Sequence, residues 1–247
     1  MNTSTFATSP GDVTRLGTMV GVWAHPDDET YLSGGLLAIA VANGQRVVVV
    51  TATDGEAGLP DPARWPAHRA ALVRRAEGTA AMAALGVTDR RWLGYPDGRC
   101  ARVDIGEAAD RIAGVIDEIR PDTVVTFGPD GLTGHDDHRA VSGWVDVAVR
   151  RVASPPRVLH AVVEDGTHQR LARLTERFDA SVAPGLPLTL PREALAIHLE
   201  LDDAVLERKL VALRAHATQT LPVIAALGED DYRRWVAVES FVAAPAR

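Results

Sequence analysis

Two short stretches of the sequence combine histidine with consecutive carboxylates. The first reads HPDDE and begins at His25, and the second reads HDDH and runs from His135 to His138. His25 and Asp28 are three positions apart, as are the two histidines of the second stretch. This spacing places each pair on one side of a tight turn or of a helix's first turn. Two histidines and one carboxylate from separate loops match the ligands of a catalytic metal.

The residue types narrow the choice of metal without settling it. Catalytic zinc takes three protein ligands of this kind and keeps a further position open for water. A set of two histidines and one carboxylate also holds non-haem iron(II). Cys100 is the single cysteine, which excludes an internal disulfide and a cysteine-rich zinc site. On the residues alone, zinc and iron(II) both remain open.

An ordinary structural role is the alternative for each stretch taken by itself. An acidic turn after a strand is commonly the start of a helix, where carboxylates favour the helix dipole. A single loop histidine is commonly solvated. Packing the carboxylates of both stretches together without a cation, however, would be electrostatically costly. The two stretches together therefore favour a metal site over two unrelated helix starts.

Both stretches follow predicted strands of one sheet. Three apolar, β-branched runs predict strands buried on both faces: Thr18–Ala24, Arg46–Thr53 and Asp122–Phe127. His25 directly follows the first run, Asp54 and Glu56 follow the second, and His135 comes a few residues after the third. Ligands of open α/β sheets bind outside the carboxyl ends of the strands. The sequence therefore predicts a functional site at that edge.

Helical patterns alternate with strands along the chain. Predicted helices are Gly34–Asn43, Trp65–Leu85, Glu107–Ile119, Arg139–Val152 and Asp202–His216, and further β-rich runs are Asp89–Leu93, Arg157–Val163 and Trp235–Ala243, with a proline-broken stretch at Ala183–Pro191. We expect an α/β fold with a single doubly wound, mostly parallel, Rossmann-like sheet flanked by helices. We expect a single domain over residues 1–247, with residues 1–17 as a flexible N-terminal segment.

Composition limits the classes of partner. The net charge is −7 over 247 residues, which argues against nucleic-acid binding, because that needs clustered positive charge. The apolar runs are far shorter than the ~20 residues of a membrane span, and the first residues lack a basic stretch followed by an apolar core. We expect a cytoplasmic protein with a small-molecule partner and no integral membrane segment. A homo-oligomer stays open, with the late β-rich run as one candidate contact.

The motifs resemble those of the PIG-L (LmbE-like) family of zinc-dependent N-acetylglucosaminyl deacetylases. The two histidine–carboxylate stretches carry most of the resemblance. Further similar stretches are Thr51–Gly58, Arg74–Val87, Leu93–Gly98 and the late Lys209 with His216–Gln219. Together they cover roughly Val20–Gln219. The resemblance implies an LmbE-like fold with zinc as the cofactor.

The resemblance also implies roles for the residues of both motifs. The implied metal ligands are His25, Asp28 and His138. Asp27 would act as the general base toward the attacking water. His135 would assist the tetrahedral intermediate or protonate the leaving amine, and Asp137 would hydrogen-bond the His135 imidazole.

Substrate contacts are implied for Arg74 and Asp97, with Glu56 as a similar candidate. The structural alternatives are a solvated helix charge for Arg74 and a turn residue of the Pro-Asp-Gly kind for Asp97. His216 would border the site or a subunit contact. No motif includes His68, His160, His168 or His198, for which we expect structural or solvated roles, and we expect Cys100 to be a packing residue.

The function implied by the resemblance is metal-dependent hydrolysis. The enzyme would remove the N-acetyl group from an N-acetylglucosamine-type sugar or glycoconjugate and release acetate and a free amine. One alternative is an amidase that acts on a thiol conjugate or an N-acylated antibiotic with the same zinc site. A second is a non-catalytic sugar- or metal-binding protein, which would not need the additional base and acid at Asp27 and His135.

Overall fold

The central strands form where the sequence is richest in apolar and β-branched residues. The computed structural model describes residues 9–59, 61–165 and 187–245. Its strands are β1 (Met19–Trp23), β2 (Val47–Thr53), β3 (Asp89–Tyr95), β4 (Thr123–Phe127), β5 (Arg157–Glu164), β6 (Thr189–Leu190), β7 (Ile197–Glu200) and β8 (Val238–Ala243). Every residue of β1, β2 and β4 is buried, as expected for strands covered on both faces.

Helices cover both faces of this sheet. They are α1 (Pro10–Val13), α2 (Asp28–Ala42), α3 (Ala67–Leu85), α4 (Ile105–Ile119), α5 (Gly131–Gly134), α6 (Asp136–Ala148), α7 (Asp203–Ala215), α8 (Ala217–Leu227) and α9 (Glu229–Val236). None of them is by itself both long and apolar enough to cross a membrane, and α7 and α8 meet that test only when joined across a bend of 115°.

The sheet has the order β3-β2-β1-β4-β5-β8-β7, and β6 pairs with β5. The strands from β3 to β5 are parallel, whereas β8 is antiparallel to both of its neighbours. The chain runs outward from β1 to β3 and then returns to β4 on the other side of β1. This reversal makes the carboxyl ends of β1 and β4 the switch point at which such sheets bind ligands. The predicted α/β fold is confirmed.

Two helices begin earlier than the sequence predicts. Helix α2 begins at Asp28 rather than at Gly34, and α6 begins at Asp136 rather than at Arg139. The acidic residues that open both helices lie in their first turns, where the helix dipole favours negative charge. Both histidine–carboxylate stretches therefore lie at helix N-termini that face the switch point.

The ends of the chain also differ from the prediction. Residues 9–17, expected to be flexible, include α1 and a short 3₁₀ turn, and the side chains of Val13 and Leu16 are fully buried. The β-rich run Trp235–Ala243 begins as the end of α9, and β8 lies between β5 and β7. A strand paired on both sides offers no free edge, so this run cannot extend the sheet into a second copy, and an oligomer contact there stays a prediction. Residues 183–186 of the proline-broken stretch lie outside the described residues.

Candidate active site and metal centre

The two switch-point strands bring both histidine–carboxylate stretches together. His25 lies two residues after β1, and its backbone N–H donates to Oδ2 of Asp28 at 2.7 Å. This bond closes a turn between the end of β1 and the start of α2. His135 is the N-cap of α6, and His138 lies in the first turn of that helix. Side chains that are 113 positions apart in the sequence thereby come into contact.

Three predicted ligands converge on one point. Nδ1 of His25 lies 3.2 Å from Nε2 of His138, and the two nitrogens lie 3.5 Å and 3.4 Å, respectively, from oxygens of Asp28. A tetrahedral metal with bonds of about 2.0–2.1 Å would separate its ligand atoms by about 3.3–3.4 Å. The nitrogens of His25 and His138 approach different oxygens of Asp28, Oδ2 and Oδ1 respectively, and each of the three distances is close to that spacing.

The outer nitrogen of each ring faces a hydrogen-bond acceptor. Nδ1 of His138 lies 3.0 Å from the carbonyl oxygen of Gly131. Nε2 of His25 lies 3.1 Å from Asp97 and 3.4 Å from Asp137. When the ring hydrogens lie on these outer nitrogens, as in metal-bound histidines, both inner nitrogens present lone pairs. Two lone pairs and a carboxylate that face one another fit a divalent cation.

The charges of the site agree with this arrangement. Burial alone would lower the pKa of His25, but the carboxylates of Asp137, Asp28 and Asp97 outweigh it and raise that pKa well above its ordinary value. Burial lowers the pKa of His138. Burial would raise the pKa of Asp28, yet the neighbouring imidazoles hold it below its usual range. The cluster attracts positive charge at its centre, either as a proton or as a metal.

Asp27 occupies an unusual backbone conformation beside the cluster. Its φ is 120°, a region that L-residues rarely adopt. Its carboxylate lies 3.4 Å from Nη2 of Arg74. Burial raises the pKa of Asp27 to about 6, although the Arg74 charge works in the opposite direction. The side chain can therefore exchange a proton near neutral pH.

His135 is exposed and presents a defined tautomer. Its Nδ1 accepts the backbone N–H of Asp137 at 3.1 Å, which caps α6 and places the ring hydrogen of the neutral form on Nε2. The centroid of this ring lies 4.9 Å from the ring centroids of both His25 and His138. A hydrogen-bond donor therefore lies beside the predicted metal ligands.

The contacts of Asp137 differ from the prediction. Its carboxylate is fully buried, accepts the N–H groups of Gly98 and Cys100 at 2.8 and 2.9 Å, and contacts His25 rather than the His135 imidazole. The contact of Asp137 with the His135 ring is through its backbone N–H, which donates to Nδ1. The reason is geometric, because α6 begins at residue 136 and turns this side chain away from the ring that caps the helix.

The three residues predicted to contact the substrate each bond to protein groups in the structure. Arg74 is 2% exposed and bonds the carbonyl of Pro26, so the alternative of a solvated helix charge is wrong. Asp97 accepts the N–H of Ala57 at 2.8 Å, and its Oδ1 lies 3.1 Å from Nε2 of His25. Glu56 accepts the N–H of Asp97 at 2.9 Å.

Two of these side chains keep buried polar atoms without a partner among the described residues. They are Oε2 of Glu56 and Nε of Arg74. A ligand hydroxyl can satisfy such an acceptor and such a donor.

A buried polar cluster lies next to Asp27, and His216 is its one member that the sequence analysis named as a candidate site residue. Glu29, Arg90 and His216 lie there, and Glu29 and His216 are fully buried. His216 is therefore a buried residue and not a subunit contact. Glu29 belongs to the first motif and carried a signal, whereas Arg90 lies on β3 in no motif and carried none.

Comparisons with known proteins find a family match and similar sequences. Residues 20–149 match the family model described as PIG-L, GlcNAc-PI de-N-acetylase. The chain is 35% identical over 237 residues to 1D-myo-inositol 2-acetamido-2-deoxy-alpha-D-glucopyranoside deacetylase 1 of Saccharopolyspora erythraea, and the match covers 80% of this chain and 76% of the relative.

Two solved structures have a similar fold. One is N,N'-diacetylchitobiose deacetylase from Pyrococcus horikoshii, with a TM-score of 0.60 and 20% identity over 92% of this chain and 84% of that chain. The other is the zinc-inhibited form of a teicoplanin deacetylase, with a TM-score of 0.61 and 20% identity over 93% of this chain and 100% of that chain.

Proposed function

The chain belongs to the PIG-L family, and from this premise we propose that it is a metal-dependent N-deacetylase. It removes the acetyl group from an N-acetylglucosamine-type sugar or glycoconjugate and releases acetate and a free amine. The observation that carries the proposal is the convergence of His25, Asp28 and His138 on one point beside Asp27. The curated relative that matches 80% of the chain is named as a deacetylase of an inositol-linked 2-acetamido sugar.

The metal site, Asp27 and His135 each have a separate role in the proposed reaction. A divalent cation, when bound by His25, Asp28 and His138, supplies Lewis acidity toward the acyl oxygen and the attacking water. Asp27, whose pKa is raised by burial to about 6, accepts the proton of that water. His135, neutral with Nδ1 accepting the N–H of Asp137, donates a hydrogen bond from Nε2 to the oxyanion. The proton that Asp27 accepts from the water passes to the leaving amine.

The sugar would bind where buried polar atoms lack partners. Nε of Arg74 is a donor, and Oε2 of Glu56 is an acceptor. A sugar hydroxyl satisfies both kinds of group at once, since it both donates and accepts. We assign Arg74 and Glu56 to the sugar. Asp97 contacts His25, and its predicted contact with the sugar stays a prediction.

One observation favours a second candidate, an amidase that removes a larger acyl group. An apolar cavity of about 120 Å³ lies next to the loop that precedes His135, and Tyr31, Leu132 and Trp235 are among its lining residues. An apolar cavity of about 150 Å³ holds benzene, so this one has room for a short acyl chain. An N-acylated antibiotic or a similar conjugate would use this space.

The test is release of the free amine, with the acid product identified, by metal-free protein after reconstitution with either zinc or iron(II). The panel contains an inositol-linked N-acetylglucosamine, N,N'-diacetylchitobiose and an N-butanoyl glucosamine. Zinc is titrated from substoichiometric amounts, since a teicoplanin deacetylase of similar fold has a zinc-inhibited form. We expect metal-dependent release of acetate from an N-acetylated sugar. Preference for the butanoyl substrate would favour the second candidate, and failure to bind either metal would contradict the proposal.

A further inference from the structure

The last carboxylate of the first motif has no role in the chemistry proposed above. Glu29 is fully buried in the first turn of α2. One of its oxygens, Oε2, accepts the backbone N–H of Asp27 at 3.2 Å. A buried carboxylate without partners would be costly, so its contacts are a guide to what it does.

Glu29 bonds to Asp27 at a point where the backbone of Asp27 is strained. A φ of 120° is strained for a non-glycine residue, and it persists only where surrounding contacts hold it. In the residues around Asp27, the α2 turn holds the carbonyl oxygen, which accepts from Thr30 and Tyr31. Glu29 holds the N–H. The side chain of Asp27 projects from the residue that these bonds fix from both sides.

Glu29 is itself fixed by buried positive charge and a histidine. Nη1 of Arg90 lies 3.3 Å from Oε1, and Nη2 of Arg90 donates to Oγ1 of Thr51. Nε2 of His216 lies 3.6 Å from the same Oε1.

The close approach of Arg90 depends on a glycine of α3. A Cβ at Gly78 would lie 2.5 Å from Nη1 of Arg90. The guanidinium also packs over the ring of Trp92, 4.3 Å from its centroid. Residues from β2, β3 and α3 thus position the guanidinium of Arg90, which in turn fixes Glu29.

We propose that Glu29 is a positioning residue for Asp27, holding the strained peptide so that the Asp27 carboxylate faces the reacting water. The proposal rests on the deacetylase function, in which Asp27 is the base. It adds that Arg90 and His216 act on the reaction through Glu29, without contact with the substrate.

The test compares Glu29→Gln with a matched variant, Glu239→Gln. Glu239 is also a buried carboxylate that accepts two N–H groups of α2, from Gly35 and Leu36 at 2.7 and 2.8 Å, and pairs with one cation, Lys209. It lies on β8, contacts α2 farther from the start of that helix, and has no hydrogen bond to Asp27 among the described residues. Both variants lose a buried charge pair, so a difference between them reports on position rather than on stability.

Four quantities are measured on the metal-loaded proteins: kcat, KM, metal content and the hydrogen exchange rate of the Asp27 amide. Loss of a hydrogen bond to a charged group changes the equilibrium constant for holding the bonded conformation by about tenfold or more. We expect Glu29→Gln to lower kcat and to speed exchange at Asp27 by at least about that factor, with KM and metal content unchanged. Glu239→Gln should leave kcat and Asp27 exchange as in the wild type.

Equal losses of kcat in the two variants, or an Asp27 amide that stays protected in Glu29→Gln, would overturn the proposal. If Glu29→Gln does not fold, Glu29→Asp keeps the charge opposite Arg90 while withdrawing the carboxylate from Asp27, and it must show the same loss of kcat. If the wild type itself turns over no substrate, the deacetylase function fails, and amide exchange alone decides whether Glu29 holds Asp27.

Discussion

One carboxylate oxygen of Asp137 lies 3.4 Å from Nε2 of His25, a residue 112 positions earlier in the chain. The same carboxylate accepts two backbone N–H groups from the loop after β3, from Gly98 and Cys100. It therefore joins three loops at the carboxyl edge of the sheet. By bonding the outer nitrogen of the ring, it leaves Nδ1 of His25 free for the metal and increases its basicity.

Replacing Asp137 with alanine should weaken metal binding. Removal of a partner that orients a histidine ligand typically costs 10–100-fold in metal affinity, and we expect a loss in that range for Asp137→Ala. A chelator competition titration measures it. Asp136→Ala is the control, because Asp136 is exposed in the same helical turn. Unchanged metal affinity in Asp137→Ala would contradict this role.

Asp27→Asn should keep the metal and lose most of the turnover. The substitution removes the base but leaves the size of the side chain and all three predicted ligands unchanged. General bases contribute typically 10²–10⁴-fold, and we expect kcat to fall within that range. Metal content is measured on the same sample and should stay at the wild-type value. An undiminished kcat would assign the base to another residue.

The strained backbone at Asp27 makes a prediction about stability. Glycine adopts positive φ without the steric cost that a Cβ adds, whereas within a helix it is less stable than alanine by about 1 kcal/mol. Asp27→Gly should therefore be more stable than Asp27→Ala by about 1 kcal/mol in urea unfolding. Both variants lose the contact with Arg74, so that loss cancels in the comparison. At Asp28, the first helical residue of α2, the order should be reversed, and the alanine variant should be more stable than the glycine variant.

The sequence predicts the sheet better than the helix starts. Val47–Thr53 is apolar or β-branched throughout, and such a run is typical of a strand covered on both faces. Helix α2 is harder to delimit, because its buried residues lie on nearly all sides and include Ser33, Gly34 and Gly35. Its pattern therefore lacks the polar face by which an amphipathic helix is recognised.

The site shows a similar division. Motif spacing alone pairs His25 with Asp28 and His135 with His138, and the metal ligand set stays a prediction that the structure makes geometrically reasonable. The contact of Asp97 with His25 was not predictable, because it joins the loops after β3 and β1, which are separated in the sheet by β2. Strand order decides such contacts, and no local pattern encodes it.

Metal removal should lower the thermal stability of the protein, and His138→Ala should abolish that response. A ligand at 100 times its dissociation constant stabilises the folded state by about 2.7 kcal/mol, which in a chain of this size corresponds to a Tm shift of about 5–11 °C. Because His138 supplies one of three converging atoms, its loss should leave the Tm independent of added metal. His68→Ala is the control, since His68 is exposed on α3 and should retain the full shift. A metal-dependent Tm in His138→Ala would mean that the cation is held elsewhere, for example by His25, Asp97 and Asp137, whose ligand atoms also lie within 4.8 Å of one another.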